Sequence, residues 1–389
     1  MSRQIVLIKG AVETLGFFSE QMADALCKLG IRVEVWDMKH PMESRERIEG
    51  FVQKDKTCLW TFNFIGLSGE SSFFCGERTI WETYDVDCYS ILVDHPLYYG
   101  TQLTEGSANW NIVCIDRDHQ TFVKRYYPRF QKVLFLPLAG TRIQEEQIPY
   151  SERKIELLFA GNYVQLSMLE MQLQQLEKDY RDFYYDRIHN LLEHPEKTIE
   201  EELVPALMTE FPDITDQQLM ETMYHMCVVD LYVRSFFRSK CICTLAEKGY
   251  RIHVLGKDWD KAGCRRPENL ILTGEVDSYT CLQYMKNSKI SINVMPWFKN
   301  GTHDRIFNGM LQGCLVISDS SKYLNTILRD GKEYCEFSLE KYDQMCDIIE
   351  GIRQDEARAE MIAKAGTSCA LKQHQWRHRV DTLLSEINI

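Results

Sequence analysis

The fold of this chain is decided by residues 296–319, which read PWFKNGTHDRIFNGMLQGCLVISD. A strand-like apolar run at 289–295 leads into this stretch, and a second strand, 315–317, lies near its end. Between the two strands the apolar residues recur at helical spacing, and Gly313 marks the predicted helix end. The stretch therefore predicts a strand, a loop, a short helix and a second strand, the repeating unit of an α/β protein.

The start of this helix has the features of an anion-binding site. We expect Thr302 to cap the helix, and His303 and Arg305 to lie in its first turn. The unpaired amides of a helix start and the positive end of its dipole favour negative charge. The planar, permanently charged fork of Arg305 suits phosphate oxygens. We therefore expect this site to hold the phosphates of a nucleotide-activated donor.

Strands and helices alternate along the rest of the chain in the same way. Short apolar runs with strand character recur in both halves, and most are followed by a segment at helical spacing. They lie at residues 4–9, 32–36, 57–62, 89–93, 112–115, 133–136, 156–160, 251–255, 270–272 and 333–337. This alternation implies mostly parallel sheets covered by helices on both faces, which is the α/β fold class.

The alternation divides into two predicted domains. We expect one doubly wound domain at residues 1–150, ending near Pro149, and a second at 151–370. Residues 371–389 are expected to form a helix that packs back on the first domain. Ligands of open α/β sheets bind beyond the carboxyl ends of the strands. Two such domains facing each other across a cleft would hold a donor on one side and an acceptor on the other.

One segment of the second domain breaks this pattern. Residues 165–218 are rich in Glu, Gln, Leu, Met and Tyr, with helical periodicity and no strand signal. A helix, 222–248, follows before the strands resume. We interpret 165–218 as a helical insertion whose charges form a solvated face, or which holds an acceptor or a partner chain.

Composition and charge disfavour several classes of protein. The formal net charge is −12 and the pI about 5.4, so non-specific nucleic-acid binding is not expected. From the strand-like start of the sequence and the shortness of its apolar runs, we expect neither a signal peptide nor a membrane-spanning segment. The fourteen cysteines are scattered and form no C-x-x-C pair, which predicts reduced thiols in the cytoplasm. Asp85 and Asp87 form an Asp-x-Asp triplet, but it precedes a strand, so we expect turn residues and no metal.

Further candidate site residues follow predicted strands. Asp94 and His95 come after the run 89–93 and could act as base on an acceptor or contact a sugar. The structural alternative is that Asp94 caps the next segment and His95 packs in the fold. Asn162 and Lys257 also follow strands. Each could contact phosphate or sugar, or could equally be a turn residue without a role in binding.

With these residues in view, the last 240 residues or so, without the insertion, resemble the donor domain of GT-B glycosyltransferases. The similarity is to the group 1 branch that includes CgeB-like spore-maturation proteins. It rests on three stretches in combination, TGEVDSY at 273–279, YMKNSKISINV at 284–294 and GTHDRIFNGMLQGC at 301–314. FAGNY at 159–163 and VLGKDW at 254–259 match the phosphate-side loops of the same family.

The resemblance implies two Rossmann-like domains and transfer of a sugar from a UDP-, GDP- or dTDP-sugar to a hydroxyl of a protein or glycan. It implies no metal and no cofactor beyond the donor, and it leans towards retention at the anomeric carbon. With the residue patterns, it assigns catalytic roles to Asp94, His95 and His303. The expected donor-binding residues are Gly161, Asn162, Lys257, Gly274, Val276, Gly301, Thr302, Asp304, Arg305 and Asn308.

One residue departs from the family pattern. Many relatives carry a glutamate where Asn308 stands, and that carboxylate grips the donor ribose. The amide of Asn308 can hydrogen-bond a hydroxyl but lacks the bidentate grip of a carboxylate. A second interpretation is therefore a catalytically silent GT-B protein that binds a nucleotide or a partner. A third is an epimerase or phosphorylase on this fold, the glycogen type of which requires a lysine-bound pyridoxal cofactor.

Overall fold

The computed structural model describes residues 4–387 and divides the chain into two compact units. Of these residues, 4–139 and 374–387 form the first unit, and Gly140–Gln373 form the second. The division falls between Ala139 and Gly140, whereas the sequence predicted a boundary near Pro149. The chain therefore leaves the first unit, builds the second, and returns to the first.

The first unit is built on a six-stranded parallel sheet in the order β2-β1-β3-β6-β7-β8. The strands, including a separate antiparallel β4–β5 hairpin, are β1 (Gln4–Lys9), β2 (Arg32–Asp37), β3 (Thr57–Phe62), β4 (Phe74–Cys75), β5 (Arg78–Thr79), β6 (Asp87–Leu92), β7 (Trp110–Cys114) and β8 (Val133–Phe135). The helices are α1 (Glu13–Lys28), α2 (Pro41–Phe51), α3 (Ile80–Thr83), α4 (Gly100–Glu105) and α5 (Arg117–Tyr126). Every residue of β3 is buried, as expected for a central parallel strand covered on both faces.

The second unit repeats this architecture with the strand order β11-β10-β9-β12-β13-β14, all parallel. Its strands are β9 (Ile155–Ala160), β10 (Ile252–Leu255), β11 (Leu270–Gly274), β12 (Ser288–Asn293), β13 (Leu315–Ser318) and β14 (Cys335–Glu336). The chain builds outward from β9 in one direction and then, from β12, in the other. Loops after neighbouring strands β9 and β12 therefore diverge and leave a crevice at the carboxyl edge of this sheet. Each strand-like run predicted from the sequence forms a strand of one of the two sheets, which confirms the α/β class.

Helices surround the second sheet and also form the insertion. They are α6 (Leu166–Gln174), α7 (Lys178–Glu193), α8 (Ile199–Glu210), α9 (Asp216–His225), α10 (Cys227–Glu247), α11 (Ser278–Lys286), α12 (Asp304–Leu311), α13 (Leu324–Ile327), α14 (Gln344–Gln354) and α15 (Glu356–Gln373). Capping boxes at Thr198 and Thr215 start α8 and α9. The insertion is helical as predicted but continues to His225. The expected single helix at 222–248 is divided at Met226, where α9 ends and α10 begins.

The final helix, α16 (Trp376–Glu386), belongs to the first unit. Trp376 is 5% exposed, and its ring centroid lies 4.8 Å from that of Phe18 on α1 and 6.3 Å from that of Phe62. Arg379 donates through Nε to the Pro137 carbonyl at 2.7 Å. Aromatic packing and a buried charge-assisted hydrogen bond therefore hold α16 to the first unit. Among the helices of residues 4–387, none combines the length and apolar character that crossing a membrane requires.

We predict that Trp376→Ala lowers the free energy of unfolding by about 3 kcal/mol, because it opens a cavity between α1, α16 and the sheet. Urea unfolding followed by circular dichroism measures the change. Ser385→Ala, on the exposed face of the same helix, is the matched control and should stay within about 0.5 kcal/mol of wild type. Equal effects of the two substitutions would contradict the packing role of Trp376.

Candidate functional site

The predicted anion site is formed by the loop after β12 and the start of α12. The helix begins at Asp304, and His303 is its N-cap residue, with Nδ1 3.3 Å from the backbone nitrogen of Arg305. Thr302 is fully buried, and its Oγ1 forms no hydrogen bond within residues 4–387. The prediction of a Thr302 cap with His303 in the first turn was therefore wrong. His303, one residue later, caps the helix instead, because its Nδ1 accepts from the Arg305 amide.

The carboxyl ends of β9, β10 and β11 lie side by side and carry four of the predicted residues. Asn162 Oδ1 accepts a hydrogen bond from the Lys257 amide at 2.9 Å, and the Gly256 amide donates to the Gly274 carbonyl at 2.7 Å. A Cβ on Gly256 would lie 2.3 Å from the Gly161 carbonyl oxygen. Only glycine allows these two loops to approach so closely. Val276 follows in the loop after β11, where it is half-buried.

Arg305 reaches from α12 to the end of β9. Its side chain is buried, with the residue 6% exposed, and Nη1 donates to the Ala160 carbonyl at 2.7 Å. A Cβ on Gly161 would lie 3.0 Å from the same Nη1, so this glycine leaves room for the guanidinium. Nη2 is buried and has no hydrogen-bond acceptor within the described residues. Arg305 therefore holds one charged donor without an acceptor at the strand ends.

His303 is held between a carboxylate and Arg305. Its Nδ1 lies 2.6 Å from Asp304 Oδ1 and 3.2 Å from Arg305 Nε, so the protonation of Nδ1 decides which of them it bonds. Burial, with the charge of Arg305 adding to it, lowers the pKa of His303 to about 4. The ring is therefore neutral at pH 7. His303 therefore supplies no positive charge at this pH, although a neutral ring still donates one N–H.

The polar face of α12 is occupied by the protein itself. Asn308 Nδ2 donates to Asp304 Oδ2 at 2.8 Å, and Asn308 Oδ1 accepts from the Thr141 amide at 2.8 Å. Gln312 Nε2 donates to the Thr141 carbonyl at 2.7 Å. Asp304, Asn308 and Gln312 are all buried. This face therefore binds the segment that enters the second unit.

Two arginines that the sequence did not single out contact the same loops. Arg234 and Arg238 on α10 lie with their guanidinium carbons 4.8 Å and 4.5 Å from the centroid of the Trp297 ring system. Arg238 Nη1 donates to the Asn162 carbonyl at 3.1 Å, and the Trp297 ring lies 6.1 Å from that of His303. Their spacing of four residues places both on one helix face, which was the available signal. This spacing is also common among arginines on the surfaces of helices. Because α10 lies far from α12 in the sequence, the spacing alone does not assign the two arginines to the site.

Asp319 connects the ends of β12 and β13 beneath this site. Its Oδ1 accepts a hydrogen bond from the Met295 amide at 2.8 Å, and the residue is buried. Burial raises the pKa of Asp319 to about 7, against smaller opposing effects of that hydrogen bond and of Lys299 and Arg305. The loop that carries Pro296 and Trp297 is thus anchored by a carboxyl group that titrates near neutrality.

Asp94 and His95 lie in the first unit, just after β6. His95 caps the turn at 96–99, accepting a hydrogen bond at Nδ1 from the Leu97 amide at 3.0 Å. Its buried ring contacts those of His119 and Phe122, with centroids 4.5 Å and 5.0 Å away. The capping role that the sequence offered for Asp94 is thus taken by His95. Catalytic roles for the pair stay predictions.

The described residues offer no set of side chains suited to a metal ion. Nowhere in residues 4–387 do three His, Cys, Asp or Glu side chains come together as a set that could hold a metal ion. Asp85 adopts a left-handed backbone conformation with φ of 54° and pairs with Lys54 at 3.2 Å. Asp87 lies at the start of β6, at the edge opposite to its carboxyl end. The Asp-x-Asp triplet therefore runs from a turn at Asp85 into the first residue of β6.

Comparison with known proteins supports the fold. Residues 234–385 match a family model described as glycosyl transferase-like. No curated protein matches the sequence. Sucrose-phosphate synthase from Thermosynechococcus elongatus is 10% identical, with a TM-score of 0.54 over 99% of this chain and 98% of that one. Anabaena Alr3699/HepE, solved in complex with UDP-glucose, is 8% identical, with a TM-score of 0.55 over 99% of each chain.

A third solved structure, TarM, is 9% identical, with a TM-score of 0.49 over 88% of this chain. This chain spans 57% of the length of TarM. Identities this low establish the fold and nothing finer. The two parallel α/β units and the full-length structural matches show that the chain has the GT-B fold.

We predict that Asn308→Asp lowers the free energy of unfolding by about 2 kcal/mol at pH 7, because it places a second carboxylate against Asp304. The new carboxylate has a raised pKa in the folded state, so the loss should shrink as the pH falls. Urea unfolding between pH 5 and 8 measures it. The exchange Asp304→Asn with Asn308→Asp restores one donor and one acceptor and should recover at least half of the loss. An unchanged stability in the single variant would contradict the observed pairing.

We also predict that Asp319→Asn becomes more stable relative to wild type as the pH rises. A carboxyl group whose folded pKa is raised to about 7 contributes stability at low pH and loses it as the pH rises through that value. The asparagine keeps the acceptor for the Met295 amide and does not ionise. The difference in unfolding free energy between the two proteins should grow from pH 5 to about pH 7 and then level off, since each pKa unit corresponds to about 1.4 kcal/mol. A difference independent of pH would show that Asp319 does not titrate in this range.

Proposed function

We propose that this chain is a glycosyltransferase that moves a sugar from a nucleotide-diphosphate sugar to an acceptor hydroxyl. The observation that carries the proposal is the gathering of cationic side chains and glycine-lined loops at the carboxyl edge of the second sheet, at the crevice between β9 and β12. Phosphates bind at such crevices in open α/β sheets. The family-model match at residues 234–385 supports it, because that range includes Arg238, Arg305 and α12.

The donor diphosphate is proposed to lie over the start of α12, near Gly161. A phosphate oxygen there would give Arg305 Nη2 the acceptor that it lacks. Arg238 supplies a second positive charge beside Asn162. The glycines at strand ends let backbone amides approach the phosphates closely. Lys257 already pairs with Glu275 at 2.6 Å, so a phosphate must compete with that carboxylate for it.

The other predicted donor-binding residues are proposed either to line the donor site or to act through neighbouring side chains. Gly301, Thr302, Gly274 and Val276 line the loops on either side of this position, and the Thr302 hydroxyl has no partner within residues 4–387. Asp304 is proposed to position His303 and Asn308 through the hydrogen bonds described above. Direct contact between Asn308 and the donor ribose requires the amide to exchange one of its two protein partners.

In the proposed reaction the acceptor hydroxyl attacks the anomeric carbon of the donor sugar on the face from which the diphosphate departs, so that the configuration is retained. The bond from that carbon to the diphosphate oxygen breaks, and the hydroxyl proton passes to a base or to the departing phosphate. Arg305, Arg238 and the amides at the start of α12 stabilise the negative charge of the leaving diphosphate. His303 adds one neutral N–H donor. Two guanidinium groups supply charge of the kind that a divalent cation provides elsewhere, so we propose a metal-independent reaction.

The finer assignments extend the resemblance of residues 273–389. We propose retention at the anomeric carbon, a hexosyl donor, a cytoplasmic location and membership of the CgeB-like branch. UDP-glucose is the first donor to test, because HepE was solved with it. The acceptor is proposed to be a protein or a glycan bound by the first unit, with Asp94 and His95 on the acceptor side.

One observation favours a second candidate function. Both polar atoms of the Asn308 side-chain amide form hydrogen bonds within the protein. The glutamate that many GT-B relatives use to bind the donor ribose therefore has no equivalent here. A protein that binds the nucleotide without transferring sugar would tolerate this change. Nucleotide release from a panel of UDP-, GDP- and dTDP-sugars, measured with candidate acceptors and with water alone, separates the two. UDP binding without release in any assay would favour the silent protein.

We predict that Arg238→Ala weakens UDP binding at least tenfold, since it removes a charge-assisted contact to phosphate. Arg305→Lys should weaken it by a similar factor, because an ammonium cannot serve the Ala160 carbonyl and a phosphate with the same geometry. Isothermal titration calorimetry measures both, with circular dichroism to check folding. The matched control is Arg353→Ala, which removes a surface arginine paired with Glu156 and Glu350. Wild-type affinity in folded Arg238→Ala and Arg305→Lys would overturn the site assignment.

A further inference from the structure

The helical insertion carries most of the net charge of the chain. Residues 166–225, which form α6 to α9, contain fourteen Asp or Glu and four Lys or Arg, so they account for −10 of the total of −12. The rest of the chain is close to neutral. A negative field concentrated on one subdomain attracts cations and repels polyanions and anionic membranes.

The same helices also expose apolar side chains. Six large ones are exposed between α6 and α9, where a helix that serves only as a solvated face would be polar; they are Met168, Met171, Tyr180, Met208, Phe211 and Tyr224. Strong negative charge together with exposed apolar surface on one small subdomain is characteristic of an interaction site rather than of a face that contacts only solvent.

These two properties meet in a groove at the turn between α8 and α9. The groove has a volume of about 550 Å3 and is lined by Phe211, Pro212 and Ile214, with carboxylates of Glu210, Asp213 and Glu221 around them. Phe211 is 45% exposed although it follows the last turn of α8. An aromatic ring within an acidic rim suits a ligand that is both apolar and positively charged.

The three carboxylates of the groove differ from others in the insertion. Glu202 is paired with Arg187 and Lys197, and Asp182 with Lys178. Glu210, Asp213 and Glu221 form no ion pair with a Lys, Arg or His side chain within residues 4–387. Three unpaired carboxylates around one apolar groove provide charge complementarity for a cationic partner. No existing ion pair of these carboxylates within the described part of the chain has to break when such a partner binds.

We propose that this groove binds a basic, amphipathic segment of a partner protein. Leucine-like side chains of the segment pack on Phe211 and Ile214, and its Lys or Arg side chains pair with the three carboxylates. A second copy of this chain offers no comparable excess of positive charge, since its total is −12. The occupant is therefore a segment of a different protein.

The test uses the full chain and a fluorescein-labelled peptide of about 18 residues with Lys and Leu at amphipathic helical spacing. Fluorescence anisotropy measures the dissociation constant at low and physiological salt. We expect binding that weakens as salt increases. Two companion peptides, one with Glu in place of Lys and one with Ser in place of Leu, should each bind at least about tenfold more weakly. Equal binding of the Lys–Ser peptide would overturn the apolar half of the proposal.

Variants of the chain locate the binding site. Glu210→Lys, Asp213→Lys and Glu221→Lys combined should weaken peptide binding at least about tenfold. Phe211→Ser should weaken it about fivefold, as loss of an aromatic contact does. The matched control combines Glu46→Lys, Glu77→Lys and Glu105→Lys, which makes the same charge change at exposed positions of the first unit. This control should bind within about twofold of wild type.

Equal loss in the two triple variants would mean that the peptide senses only net charge, and would overturn the proposal. Wild-type binding by Phe211→Ser would do the same for the groove. UDP affinity measured on the same proteins should be unchanged in every variant, because none of the substituted residues belongs to the donor site. Failure of peptide binding is thereby distinguishable from failure of the proposed sugar transfer.

Discussion

The second unit depends on one buried charge, the guanidinium of Arg305 held against the Ala160 carbonyl at 2.7 Å. Burying a cation is unfavourable unless its donors find acceptors. This hydrogen bond satisfies part of that requirement and joins the start of α12 to the central strand β9. Gly161 leaves the space that the side chain occupies. The same contact that positions the helix therefore leaves a charged donor at the crevice where a phosphate is proposed to bind.

A second constraint acts at the other side of α12. Asp304, Asn308 and Gln312 form a chain of hydrogen bonds that ends on both backbone polar atoms of Thr141. Thr141 lies just after the point where the chain enters the second unit. The helix that carries the site is therefore fixed to the sheet by its first turn and to the entering segment by its polar face. Rigid support of this kind keeps charged groups in position without reorganisation when a ligand binds.

The sequence predicted the architecture well because strands buried on both faces leave a strong apolar signal. Each predicted strand of the two sheets is present, and α12 lies between β12 and β13 as expected. The sequence could not predict which of several polar side chains would form a given hydrogen bond. His303 displaced Thr302 as the cap, and Asn308 found partners in a segment some 170 residues away in the chain. The β4–β5 hairpin was missed because strands of two residues have no measurable periodicity. Arg238 contacts Asn162 from α10, a helix 76 residues further along the chain, and no local sequence pattern specifies such a contact.

The return of α16 to the first unit has a consequence for how the protein folds during synthesis. The first unit is discontinuous in sequence, and the whole second unit is made between its two parts. While the ribosome makes residues 140–373, Phe18 and Phe62 have no Trp376 to cover them. The earliest part of the chain is therefore completed last, and it keeps an apolar surface uncovered for most of translation, when aggregation and chaperone binding compete with folding.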